Sequence, residues 1–329
     1  MKHQPKPTVR QHWLPAGYLA GFTLNGDRYS PFWIHSLDGS SVREDIPNRV
    51  GFENHYHDID IPGFSPDHLE RIFQDIEGPA FKLFKTLAAN PGRSLLSESE
   101  KDTAIGFFAL QAARVPQSRD KHKKLVLDSG SAFMKELVHS PEFFHRVIAS
   151  GVRQGIVSDP VEQGWLREAV ESGEITVHAD KTQLAVSILR LADAILEQLE
   201  RMHYTLWYAE EPDYFVCSDY PVGIFYSISS GDVLENPGSL ENPIVQLLAS
   251  TIYMPLGRSV ALVIHGLANV PTVQRANQRM VGVVNAVTIS SAERFICSPT
   301  RDFACTLPGG RLGNAQDALT TALSFHQVG

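Results

Sequence analysis

The chain reads as an α+β protein: short N-terminal strands, a central helical region of about five helices, and a C-terminal mostly antiparallel sheet with one late helix. Three observations predict this order. Apolar residues recur at helical spacing through the middle, most cleanly at Leu184, Ile188, Leu191, Ile195 and Leu199. Aromatic and β-branched residues fill short runs after Tyr204. Hairpin-type dipeptides, Asn25-Gly26 and Asp38-Gly39, punctuate the opening segment.

Taken in order, residues 17–24, 31–34 and 50–52 read as strand-like pieces. Ser65-Pro66 then opens a helix, with Ser as N-cap and Pro at the first helical position. Gly78-Pro79 is expected to kink this helix, and Asn90-Pro91-Gly92 closes it. A second helix starts at the capping-box pair Ser97 and Glu100 and stops at Arg114, because Val115 precedes a proline. Ser140-Pro141, Asp159-Pro160 and Asp180 with Gln183 start three more. Residues 204–208, 214–217, 223–227, 251–254 and 260–265 read as strands. A late helix is expected over 271–287 and a short strand over 294–296.

The expected organisation is a flexible segment at 1–10, one intertwined α+β domain over 11–306, and a loosely packed tail at 307–329. Within the domain, 65–203 is the helical middle and 204–300 the β-rich part. Hydrophobic residues make up 43% of the 329, enough for a sizeable core. The net charge of −8 argues against broad nucleic-acid binding, which needs clustered Lys and Arg. No apolar run is long enough to span a membrane, and no signal-peptide core is present. The three cysteines, Cys217, Cys297 and Cys305, have neither CxxC spacing nor a neighbouring His in metal-ligand register. Together these features predict a soluble protein of the reducing cytoplasm. Nothing in the sequence sets its oligomeric state.

Polar residues in otherwise apolar surroundings are the candidates for chemistry. His12 lies beside Trp13 near the N-terminus, where an imidazole serves as base, metal ligand or core hydrogen-bonder. His55 and His57, on a strand, would share a face and hold a divalent metal together with a carboxylate. Glu70, Gln74 and Glu77 fall on one face of the first long helix, with Glu77 just before the expected kink. Gln111 and Arg114 are neighbours one turn apart on the next helix. Arg114 suits either an ion pair with Glu77 or a bidentate clamp on an anion. Asp219 follows an apolar strand and precedes Tyr220-Pro221, an arrangement that presents a carboxylate or builds an Asx-type turn. Neither a Gly-x-Ser-x-Gly elbow nor a phosphate-binding glycine loop occurs.

Three segments, in order, carry a resemblance to a known family. They are His12-Trp13-Leu14-Pro15 with Tyr18-Leu19 and Phe22, then Phe108 through Pro116 around Gln111 and Arg114, then Ser218-Asp219-Tyr220-Pro221. Together they resemble the bacterial domain of unknown function 4238 family. Ile76-Glu77, Pro255-Leu256 and Asn285 match its intervening features, whereas Gln11 stands where the family tends to have a His. The resemblance implies a fold and a set of positions, Tyr18 and Asn285 among them as ligand-binding candidates. It implies no activity.

Three readings follow. In the first, the chain is a hydrolase of phosphoesters or similar anions, with His12, Glu77 and Asp219 as acid, base or metal-binding groups. Gln111, Arg114, Tyr18 and Asn285 would then bind the substrate. In the second, the chain is a ligand-sensing or partner-binding module in which Gln111 and Arg114 hold a small anion and nothing reacts. In the third, the candidate residues form a buried structural network. No cofactor is required by any of them, although a divalent metal would fit the first.

Overall fold

Strands from the two ends of the chain share a sheet. The structure, a computed structural model, describes residues 7–94, 97–157, 161–226, 250–266 and 270–326. Strand β2 (Phe32–Ser36) turns at Asp38-Gly39 into β3 (Val42–Asp45). On its other edge β2 pairs antiparallel with β11 (Phe295–Ser298), and β11 pairs with β6 (Cys217–Ser218). A two-stranded ribbon joins β1 (Arg10–His12) to β4 (Phe52–Asn54).

The second sheet has five strands. β7 (Gly223–Tyr226), β8 (Ser250–Gly257), β9 (Val260–His265) and β5 (His203–Ala209) run antiparallel, and β10 (Val273–Ala276) adds to β5 in parallel. The late helix is α8 (Gln278–Ser291), capped by Asn277. The expected helix over 271–287 therefore begins later, because Val273–Ala276 is drawn into the sheet edge beside β5.

Among the described residues, six helices occupy the middle: α2 (His68–Ala89), α3 (Glu98–Arg114), α4 (Pro116–His139), α5 (Pro141–Arg153), α6 (Gln163–Glu171) and α7 (Lys181–Leu199). Ser97, Ser140 and Asp180 each accept a backbone N–H as caps. The Asp159-Pro160 cap lies outside the described residues. As expected, α2 continues through Pro79, whose flanking apolar residues are held by the core on both sides of it. Two expectations are corrected. Ser65 does not cap α2, which begins at His68 with Asp67 in the cap position. Pro116 ends one helix and also begins the next; α4 lacks an apolar stripe, burying only Pro116, Leu137 and Val138.

A third correction concerns residues 17–24. They form α1 (Ala16–Leu19) and a 3-10 turn (Ala20–Phe22) rather than a strand. Coiling brings Tyr18, Leu19 and Phe22 into the core together, at 1%, 0% and 0% exposure. It also places Gly17 against the Phe81 ring, where an added Cβ would sit 2.5 Å from ring carbons. The main core joins Leu14 and Phe22 to Phe84, Phe107 and Phe108 of the helices, and to Leu206, Met254 and Cys297 of the sheets. Past Leu307, β13 (Leu312–Gly313) pairs with β12 (Cys305–Thr306), and α9 (Ala315–His326) buries Ala315, Ala318 and Ala322. No helix among the described residues is long and apolar enough to cross a membrane.

Candidate functional site

The last turn of α3 carries a fully buried charge. Arg114 is 0% exposed. A guanidinium out of water must find partners for its donors, and it does so on its own helix and on α2. Nε and Nη2 donate to Oε1 of Gln111 at 3.1 and 2.9 Å, and Nη1 donates to Oε1 of Glu77 at 2.5 Å. The guanidinium also faces the Phe73 ring at 5.6 Å. Gln111 completes the unit by donating from Nε2 to the carbonyl of Trp13 at 3.0 Å. Helix α3 ends here, so its last carbonyls need outside donors. Tyr56 donates its hydroxyl to the Arg114 carbonyl, and Ser118 to that of Ala112.

A second cluster adjoins the first and centres on Glu70, one of the three polar residues on that face of α2. Glu70 Oε1 lies 2.6 Å from Nδ1 of His57. Burial pushes the Glu70 carboxyl up to about 7, against the opposing pull of Arg114 and His12. Burial pulls His12 down to about 4, aided by the Arg10 charge, and holds fully buried His57 well below its ordinary value. Both imidazoles are therefore neutral near pH 7, and Nδ1 of His57 hydrogen-bonds the Glu70 carboxyl. Nε2 of His12 and Nε2 of His57 have no hydrogen-bond partner among the described residues. Gln11 clips this cluster together: its side chain accepts the His57 backbone N–H and donates to Asp58 and to the Thr8 carbonyl.

The expected pairing of His55 with His57 on one strand face does not form. β4 ends at Asn54, and both histidines lie in the turn beyond it. His55 takes a left-handed φ of 57° and reaches Asp58 at the surface, while His57 turns inward to Glu70. The period-two argument fails because the chain is no longer extended there. Among the described residues, no three His, Cys, Asp or Glu side chains gather as a metal centre.

The remaining candidates lie apart, each holding backbone. Asp219 accepts the N–H groups of Glu293 and Arg294, both at 3.0 Å, and so fastens the start of β11. Its carboxyl is pushed up to about 6 by burial, against those hydrogen bonds. Asn285 accepts from Val216 N–H and donates to the carbonyls of Tyr214 and Ala304. Tyr18 donates to the Pro255 carbonyl at 2.5 Å. Trp13 links the groups: its carbonyl takes Gln111, and its ring lies 5.9 Å from the Arg294 guanidinium, beside Asp219's hydrogen-bond partners. His12, Arg114 and Glu77 are thus brought into one region, whereas Asp219 meets it through Trp13 and Arg294. Glu70 does not stand out from its helix face in the sequence, because its partner His57 comes from a turn that only the folded chain brings near.

This arrangement defines an α+β protein in which a buried polar seam joins an N-terminal ribbon to two helices. The chain belongs to the family described as protein of unknown function (DUF4238), whose model matches residues 10–302. No curated protein and no solved structure matches it.

Proposed function

We propose that the buried polar residues of this chain form a structural network that serves its architecture rather than turnover. The observation that carries this reading is Arg114. Each of its three nitrogens donates to Gln111 or Glu77, and the side chain has no solvent-exposed surface. A phosphoester hydrolase needs a cation that meets substrate, with an acid or base beside it. Here the cation is consumed by the fold. Asp219 and Asn285 support the same reading, since their polar atoms are taken by backbone groups.

Thermal unfolding tests this. Inorganic phosphate and pyrophosphate should leave the wild-type Tm in place, because a ligand that binds only the folded chain would raise it. Arg114→Lys should cost about 3 kcal/mol, since a compact ammonium cannot replace the forked contacts in a buried site. A phosphate-dependent rise in Tm that disappears in Arg114→Lys would overturn the proposal.

A second reading is favoured by one observation, the raised carboxyl of Glu70 against the neutral imidazole of His57. A carboxyl titrating near neutrality suits general acid–base work. On this reading Glu70, with His12 and His57, would be the reacting set of a hydrolase, and Arg114 its support.

A further inference from the structure

A groove of about 370 Å³ opens where α2, α3 and α7 meet. None of the polar residues discussed above lines it. Its floor is apolar, built from Ile76, Leu110, Leu189 and Leu196. Its size falls in the range of small-molecule sites. Each of the three helices contributes one aspartate to the wall: Asp75, Asp102 and Asp193. No Lys, Arg or His lines the groove, and none of these three carboxylates has an ion pair or hydrogen bond among the described residues.

Local features of the wall sharpen the preference. Pro79 lies inside α2 and lines the groove. Lacking an N–H, it cannot bond the carbonyl of Asp75, four residues earlier on the same wall. That oxygen adds a further acceptor. Thr103, one of the hydroxyls in the wall, already donates to the Ser99 carbonyl at 2.7 Å. Gly106 keeps the space open: a Cβ built there meets nothing within 4 Å.

We propose that this groove binds a small organic cation with an apolar stem, of the linear diamine class. The apolar floor takes the methylene chain, and the separated carboxylates take the ammonium groups. A single metal ion fits less well, because these side chains do not gather on one point. The proposal does not depend on the role assigned to Arg114 or Glu70.

Calorimetric titration with 1,8-diaminooctane, and with octanoate as the charge-reversed probe, tests it. The diamine should bind the wild-type chain, more weakly as salt rises, and octanoate should not. Asp75→Asn, Asp102→Asn and Asp193→Asn combined should weaken diamine binding about tenfold or more, at roughly 0.5 kcal/mol per exposed ion pair. Gly106→Leu should fill the groove and abolish binding while the far-UV circular dichroism is unchanged. If Gly106→Leu does not fold, the triple Asn variant, changed only at exposed positions, carries the test. Absence of diamine binding at low salt, equal binding of octanoate, or an unchanged affinity in the triple variant would each overturn the proposal.

Discussion

Glu70 is where a single residue sets a property of the whole chain. The folded protein holds its proton up to about pH 7. An unfolded chain releases the same proton near pH ~4.3. The group's contribution to stability therefore falls as pH rises across that window. His12 acts in the opposite sense, since its folded value of about 4 lies below the ordinary 6.5, so its contribution is lost as pH falls from 6.5 towards 4. Replacing Glu70 by Gln removes the first effect and keeps an acceptor for His57. Glu70→Gln should gain on wild type by about 2 kcal/mol between pH 5 and pH 7.5, measured by urea denaturation at each pH. A constant difference between the two proteins over that range would show that Glu70 does not titrate there. The Arg114–Glu77 pair was legible in sequence, because two polar residues in apolar helical turns have few other partners. The Glu70–His57 contact was not, because it depends on how the turn after β4 folds back.

At the scale of elements, side chains that hold backbone decide where strands and helices sit. Asp219 gathers two N–H groups at the entrance to β11, the strand that joins N-terminal and C-terminal parts of one sheet. Asp219→Ala leaves both N–H groups without that acceptor and should cost about 2–4 kcal/mol, read as a lowered urea midpoint with unchanged slope. A loss under about 0.5 kcal/mol would mean water replaces the carboxylate without penalty. Element identity was readable wherever capping chemistry and periodicity agreed, as at Ser97, Ser140 and Asp180. It was unreadable at α4, a largely exposed helix with no apolar stripe, and at residues 17–24, where glycine and aromatics suited a strand as well as a turn.

For the whole molecule, the cores are separable. Leu137, Val138, Phe144 and Leu166 of α4, α5 and α6 form a cluster distinct from the one shared by the N-terminal segment, α2, α3 and the sheets. A small cluster on one edge opens at lower free energy than the shared core. Native-state hydrogen exchange should therefore release the amides of α5 and α6 before those of β9 and α3. Simultaneous release would show one cooperative unit. We further propose that residues 11–306 otherwise unfold together, since β2 and β11 cannot separate without dividing their sheet.

The sequence by itself determined the broad succession of N-terminal strands, helical middle and C-terminal sheet, most helix caps, the absence of glycine-loop and serine-elbow motifs, and the family to which the positions conform. Those properties are local: they depend on spacing along the chain and on what each residue type does to its own backbone. Only the tertiary structure decided whether the polar residues face water, each other or backbone. It assigned Arg114 to Glu77 and Gln111, Asp219 to the start of β11, and His57 to Glu70 rather than to His55. Partnership of this kind is set by contacts between residues far apart in sequence, and burial, which governs the energy of every charge involved, exists only once those contacts have formed.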